Sequence, residues 1–165
     1  MWRAKDGTAV TIRPIRPEDA QIEQEFVHSL SPQAKYMRFM GVTKDLTPAM
    51  LARFTQVDYD REMALIAVID HEGGQRQIGV ARYITNPDGA SCEYAIVVSE
   101  AWQARGLGRQ LMVQLIAIAR ARGLKTMVGL VFAANRRMLA LAVALGFVVD
   151  NVAHDVAAKE VRLAL

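Results

Sequence analysis

Apolar and polar residues alternate with the two-residue period of β-strands through much of the chain. Three consecutive runs, at 63–70, 77–85 and 91–98, are rich in apolar and β-branched residues, and turn-forming residues separate them. They predict three successive antiparallel strands joined by tight turns. Val10 and Ile12 predict an earlier strand. Later strands are predicted at 126–132, 147–152 and 156–163.

Five segments carry helical signals instead. Leu111, Leu115 and Ile118 recur at helical spacing and predict a helix that ends at Arg122, before Gly123. A second helix is predicted over 135–145. Three more begin at prolines near the N-terminus, which suits the first turn of a helix, and are predicted at 17–29, 32–40 (ended by Gly41) and 48–56.

The order of these elements is β-α-α-α-β-β-β-α-β-α-β-β. It predicts an α/β (α+β) fold, in which a mixed, mostly antiparallel seven-stranded sheet carries helices on both faces. We expect one domain over 1–165, with a frayed start over 1–6, because neither repeats nor linkers interrupt the pattern.

Composition narrows the class of protein. The chain of 165 residues is 52% hydrophobic and 22% charged, which is typical of globular proteins, and no apolar run is long enough to span a membrane. One cysteine, Cys92, excludes an internal disulfide, so we expect a cytoplasmic protein. His28, His71 and His154 lie too far apart to predict a metal site.

The stretch 103–109 links a predicted strand to a predicted helix. Gly106 and Gly108 let the backbone approach a ligand, and free N–H groups of the first helical turn, with Arg105 and Arg109, would bind an anion. A dinucleotide fingerprint is excluded because Leu111 replaces its third glycine, and no Gly-Lys-Ser/Thr of a P-loop follows.

The net charge of +3 is small. Binding of a polyanionic cofactor explains this excess of positive charge, so nucleic-acid binding is not needed to explain it. We expect seven cationic residues to cluster around the anion site: Arg105, Arg109, Arg120, Arg122, Lys125, Arg136 and Arg137.

The pattern Gln103-x-x-Gly106-x-Gly108 resembles motif A of the GNAT N-acetyltransferases. A helix opened by Asn135 and closed by Leu145-Gly146-Phe147 extends the resemblance. It implies that acetyl-CoA binds with its pyrophosphate on the 103–109 turn and its pantetheine along 97–99. The implied cofactor residues are Val97, Val98, Ser99, Gln103, Ala104, Arg105, Gly106, Leu107, Gly108, Arg109 and Asn135.

A narrower resemblance is to the acetyltransferase domain of bacterial Pat-type protein lysine acetyltransferases. It rests on 7–19, on Ser31, Tyr36, Arg38 and Phe39, and on 58–65. It implies a protein lysine as acceptor, such as a lysine of an acyl-CoA synthetase. Many of those enzymes carry the domain in a far larger chain, so a stand-alone relative and an excised domain both stay open.

Glu93, on the strand before the turn, is the candidate catalytic residue, since many GNAT enzymes place a general base there. We expect Tyr94 and Ile96 to wall its carboxylate, because apolar surroundings make a carboxylate a better base. The alternative is a structural pair with an arginine across the sheet. A backbone N–H of Val97 or Val98 would stabilise the oxyanion.

Three further features leave alternatives open. Many GNAT enzymes carry a tyrosine as general acid seven residues after the asparagine, but Ala142 stands here, so the thiolate leaves unaided or another group protonates it. The acids Asp58, Asp60 and Glu62 either form a solvated turn or bind a cationic lysine substrate. Cys92 is expected to be a core residue, with an acyl-cysteine intermediate as the alternative.

Two rival functions also remain. One is a GNAT enzyme that acetylates a small amine. The other is a non-catalytic acyl-CoA-binding module of a regulator. The sequence predicts no oligomeric state.

Overall fold

The computed structural model describes residues 1–39 and 46–165. The strands in this part of the chain are β1 (Trp2–Arg3), β2 (Ala9–Pro14), β3 (Glu62–His71), β4 (Gly74–Thr85), β5 (Ser91–Val98), β6 (Thr126–Phe132), β7 (Val148–Val152) and β8 (Asp155–Ala164). The α-helices are α1 (Ala20–Ser29), α2 (Pro32–Phe39), α3 (Pro48–Thr55), α4 (Leu107–Ala121) and α5 (Arg136–Ala144). The predicted order is confirmed, and the predicted end of the second helix at Met40 and Gly41 lies outside the described residues.

The strands form one mixed sheet in the order β1-β2-β3-β4-β5-β6-β8-β7. Among the described residues, β5 and β6 are the only neighbouring strands of the sheet that pair in parallel. All other neighbouring strands pair antiparallel. The fold class is therefore confirmed, but the sheet has eight strands rather than seven.

The additional strand lies where a frayed start was expected. Trp2 pairs with Val10 across a tight turn. Gly7, at φ 91°, supplies the left-handed conformation that reverses the chain, and the Thr8 N–H donates to Asp6 Oδ1 at 2.9 Å. A local turn thus holds the first residues in the sheet.

Each face of the sheet is covered by helices, as predicted. On one face, Phe26 of α1 packs with Ile66 of β3 and Val80 of β4. On the other, Leu111 and Leu115 of α4 form the core with alternate residues of the same strands. Side-chain alternation along each strand therefore decides which core a residue joins.

The parallel pairing between β5 and β6 is short, and the two strands separate after it. Its pairing covers only three positions and ends where Glu93 stands opposite Val128. Beyond that point β5 stays paired with β4 as far as Val98, and β6 stays paired with β8 as far as Phe132. An unpaired gap therefore opens between the C-terminal halves of β5 and β6.

Candidate active site

The gap exposes backbone groups of β5. The Ser99 N–H donates to the Ile78 carbonyl at 2.9 Å, so Val97, two residues earlier, also directs its backbone groups toward β4. The backbone N–H and C=O groups of Ile96 and Val98 must then point into the gap. In agreement with this, the Val98 carbonyl accepts a hydrogen bond from Gln103 Nε2 at 3.2 Å and not from a residue of β4. Of the two oxyanion donors considered from the sequence, Val98 is the one with its N–H on the open side.

The N-terminus of α4 lies at the wide end of this gap. Gly106 is its N-cap residue at φ 87°, a conformation that favours glycine, and no side chain of the described residues caps the helix. By contrast, α3 is capped by Thr47 and α5 by Asn135. No acidic residue stands in the first turn of α4. The positive end of its dipole is therefore available to an anion.

Gly108 has a different role from Gly106. A Cβ on Gly108 would stand 3.4 Å from Leu141 Cδ2 and 3.8 Å from Val98 Cγ2. Gly108 therefore lies where α4 packs on α5 and β5, and a Cβ there would make ordinary van der Waals contacts. Asn135 accepts from the Met138 N–H at 3.3 Å and so holds the start of α5 beside the gap.

The cationic residues divide between the two ends of α4. Arg105 lies at the turn, bonded to Asp6 at 3.1 Å, and Arg137 donates to Gln103 Oε1 at 3.0 Å. Arg122, however, lies past the far end of the helix, about 20 Å away by its rise, and donates to the Glu62 carbonyl. The expectation that all seven cationic residues surround one anion site is therefore wrong for Arg122 and Lys125, which follow the C-terminal end of α4.

A cleft of about 330 Å³ opens on the α1–α3 side of the sheet, beside the point where β5 and β6 part. Its floor includes Glu62 on β3, Ile84 on β4 and Glu93 on β5, which stand directly opposite one another in the register. Such neighbours project from the same face. The register thus brings two carboxylates and an apolar side chain into one row.

Glu93 is exposed at the narrow end of the gap. Tyr94 and Ile96 belong to the core on the opposite face, so the expectation that they wall Glu93 is wrong, because neighbours along a strand alternate. Glu93 also has no ion-pair partner among the residues that the structure describes. The alternative role of Glu93, a structural ion pair with an arginine across the sheet, is therefore not found among the described residues.

The three acids considered as substrate contacts separate. Glu62 lines the cleft, is 8% exposed and forms an ion pair with Arg53. Asp58 and Asp60 are exposed and do not line it; Asp58 Oδ1 accepts from the Asp60 N–H at 3.1 Å within the preceding turn. The solvated-turn interpretation describes these two.

Arg82, which lines the cleft, belongs to a buried ion pair. Arg82 on β4 donates to Glu23 of α1 at 2.9 Å and to the Phe54 carbonyl of α3 at 2.7 Å. Burial lowers the pKa of Arg82, while Glu23 opposes that shift. Arg82 therefore ties two helices to the sheet, a contact that sequence reasoning missed because Glu23 and Arg82 are 59 residues apart.

Other candidate residues are structural. Cys92 is fully buried on the face opposite Glu93, and burial raises the pKa of its thiol to about 12. Ala142 of α5 is buried in the same core as Leu111 and Leu115 of α4. Within 1–39 and 46–165, no group of three or more His, Cys, Asp or Glu residues could hold a metal ion. No helix in the same residues is long and apolar enough to cross a membrane.

Comparisons with known proteins bear on the family and the fold of this chain. The model of the acetyltransferase (GNAT) family matches residues 26–147. Acetyltransferase PA5475 of Pseudomonas aeruginosa is 38% identical over 160 residues, which cover 97% of this chain and 86% of that protein. The crystal structure of the GNAT domain of S. lividans PAT is 26% identical, with a TM-score of 0.87 and coverage of 99% of this chain and 95% of that one. YncA of Salmonella typhimurium, solved with its cofactor acetyl-CoA, shares the fold at 22% identity, with a TM-score of 0.74 and coverage of 96% and 95%.

Proposed function

The chain belongs to the GNAT acetyltransferase family, and from this premise we propose that it transfers the acetyl group of acetyl-CoA to a lysine side chain of a protein. Acyl transfer from acetyl-CoA is the activity of the family. The acceptor and the roles of individual residues are our proposal, as is the action of 1–165 as one acetyltransferase domain.

The residues around the gap suit acetyl-CoA. The uncapped N-terminus of α4 and Arg105 would hold the pyrophosphate, with Gly106 providing the turn. The backbone groups of Ile96 and the N–H of Val98, which face the gap, would bind the pantetheine amides as a neighbouring strand does. Val97 and Ser99 flank these groups on β5, and Gln103 holds the turn against Val98.

The position of Glu93 carries the catalytic proposal. It stands at the last paired position of β5 and β6, so its carboxylate lies where the cleft meets the gap. An acceptor amine entering through the cleft and a thioester arriving along the gap would meet there. No arginine or lysine of the described residues neutralises Glu93, so it is free to take a proton.

The reaction can be written from these groups. A lysine ammonium, with a pKa of about 10.4, gives its proton to Glu93, directly or through water. The amine nitrogen then forms a bond to the thioester carbon while the Ile96 N–H, which faces the gap three residues from Glu93, stabilises the oxyanion; Val98 lies about 16 Å from Glu93 along the strand, so its N–H would bind further up the pantetheine. The nitrogen loses its second proton to solvent, and on collapse the carbon–sulfur bond breaks, so that a neutral amide forms and the sulfur leaves with the electron pair.

The thiolate leaves without a protein acid in this proposal. Ala142 offers no proton, and burial raises the pKa of the nearby Tyr94 to about 12, well above the ~8.5 of a free thiol. A tyrosine with that pKa is too weak an acid to protonate the thiolate. Solvent supplies the proton after the sulfur departs.

A protein lysine is the acceptor we favour, for two reasons. The chain shares its fold and 26% identity with the GNAT domain of S. lividans PAT over almost its whole length. The 58–65 segment that resembles Pat-type enzymes leads directly into the cleft at Glu62.

The test is incubation with labelled acetyl-CoA and a panel of folded proteins, free amino acids and polyamines, followed by mass spectrometry. We expect acetyl-lysine on one or more proteins, at efficiencies well above those for the small amines. Preferential acetylation of a free amino acid or polyamine would establish the small-amine alternative. Tight acetyl-CoA binding without transfer to any acceptor would favour the regulatory module.

A further inference from the structure

Ile84 is an exposed apolar side chain in the middle of the cleft. It is 48% exposed and stands between Glu62 and Glu93 in the row across β3, β4 and β5. The two glutamates are separated by two strand spacings, about 10 Å between their Cα atoms. A large aliphatic side chain at this place presents an apolar surface between two carboxylates.

The neighbouring row keeps the space above Ile84 open. There Ala64 and Ala95 flank Arg82, whose long side chain turns away to Glu23 and Phe54. Both alanines line the cleft. An acceptor chain can therefore lie along the cleft without meeting a bulky side chain from either adjacent strand.

The two carboxylates are not equivalent. Arg53 of α3 donates to both oxygens of Glu62, one of them at 3.3 Å, and so neutralises its charge. Glu93 has no such partner among the described residues. The cleft thus offers one uncompensated negative charge, beside an apolar surface.

We propose that Ile84 and Arg53 determine acceptor specificity, selecting a single ammonium group at the end of an unbranched alkyl stem. The methylenes of the stem lie on Ile84 and bring the nitrogen to Glu93. Arg53 occupies Glu62 and so denies a second ammonium its counter-charge, which discriminates against diamines and polyamines. The inference rests on the proposed role of the cleft as the acceptor site, and it deepens that role to a class of amine.

Three simple amines test this without a protein acceptor. n-Pentylamine has one ammonium on a stem of lysine-like length, ethylamine has a short stem, and cadaverine is pentylamine with a second ammonium. Their amino groups have similar basicity, so differences in kcat/KM report binding in the cleft. Thiol release at saturating acetyl-CoA gives kcat/KM for each amine, and the ratios within one enzyme are insensitive to its active fraction.

For the wild type we expect pentylamine to exceed ethylamine by about tenfold or more, the usual effect of methylenes that contact an apolar surface. Ile84→Gln should reduce this ratio to about threefold or less, because pentylamine loses more contact with an apolar surface than ethylamine does. Arg53→Gln should raise the cadaverine-to-pentylamine ratio by about fivefold, the effect of a half-exposed ion pair. Val156→Gln, at a 94% exposed position on β8, is the matched control and should leave both ratios unchanged.

Wild-type ratios in both folded variants, or equal rates with ethylamine and pentylamine in the wild type, would overturn the inference. Because Ile84 and Arg53 are both half-exposed, circular dichroism should show native folding in each variant. Failure of the proposed protein acceptor is a separate result: it appears in the protein panel, whatever the amine ratios are.

Discussion

The ring of Tyr94 on β5 lies against Gly129 on β6, in the space that a side chain on β6 would fill. A Cβ on Gly129 would lie within 2.9 Å of three carbons of that ring. The same ring packs against Phe147, with centroids 5.4 Å apart. Tyr94 and Gly129 follow directly after the last paired positions, Glu93 and Val128, so this contact lies where the two strands part.

Gly129→Ala should destabilise the protein by about 1–3 kcal/mol, because an added methyl group must displace the buried ring. It should also lower kcat, because displacing the ring would shift the backbone of β5 where it parts from β6, directly beside Glu93. Denaturant titration measures the first effect, and Gly74→Ala is the control, with its nearest contact at 3.9 Å. Equal stabilities of the two variants would show that β6 tolerates a side chain where it parts from β5.

Glu93→Gln should lower kcat by about a hundredfold or more, because it keeps the shape of the side chain and removes its basicity. Affinity for acetyl-CoA should stay unchanged. Raising the pH should restore part of the rate, since more of the acceptor amine is then neutral. Glu18→Gln, at an exposed position outside the cleft, is the matched control. A near-wild-type kcat in Glu93→Gln would show that Glu93 is not the general base.

Gly106→Glu should weaken acetyl-CoA binding by at least about tenfold, because a carboxylate at the N-cap of α4 repels the pyrophosphate. Gly89→Glu makes the same change of charge at a glycine with φ 67°, in the turn at the other end of β5. It therefore controls for charge and backbone strain together. Calorimetry with equal affinities for the two variants would argue against the proposed anion site.

Cys92 should take no part in acetyl transfer. Its thiol is fully buried, its pKa is raised to about 12, and it faces away from Glu93. We expect iodoacetamide to modify the native protein at pH 8 far more slowly than the denatured protein. Cys92→Ala should retain transfer. Recovery of an acetyl thioester on Cys92 after a quench would instead establish a covalent intermediate.

Asp19 makes stability depend on acid pH. Burial alone would raise the pKa of its carboxyl, but Arg13 at 2.7 and 2.8 Å and the Arg16 N–H at 2.8 Å hold that pKa below its ordinary 3.8. A lowered native pKa stabilises the fold above the unfolded pKa, and this contribution is lost as pH falls through the native value. The free energy of unfolding should therefore drop below about pH 4.

Asp19→Asn should be less stable than the wild type at pH 7, and the difference should narrow at pH 3. Denaturant titrations at both pH values measure it. Asp70→Asn, at an exposed carboxyl, should show the same pH dependence as the wild type. A difference for Asp19→Asn that stays constant with pH would assign its effect to packing rather than to the charge.

Much of the architecture follows from local patterns in the sequence. The element order, the helices on both faces and the glycine turn at Gly106 were predicted, because periodicity, prolines and glycines act over a few residues. The short β1 was missed, since two residues carry too little pattern to predict pairing. The wall around Glu93 was predicted wrongly because neighbours in the chain were treated as neighbours in space.

The sequence by itself determined most of the helices and strands, and it led to the prediction that the 103–109 turn binds an anion. Only the tertiary structure decided which side chains meet. The row of Glu62, Ile84 and Glu93 depends on the registers of two strand pairs, and the Glu23–Arg82 pair joins residues 59 positions apart. The end of β5–β6 pairing at Glu93 likewise depends on how β6 pairs with β8. Register and long-range ion pairs are set by the packing of whole layers, which no local stretch of sequence encodes.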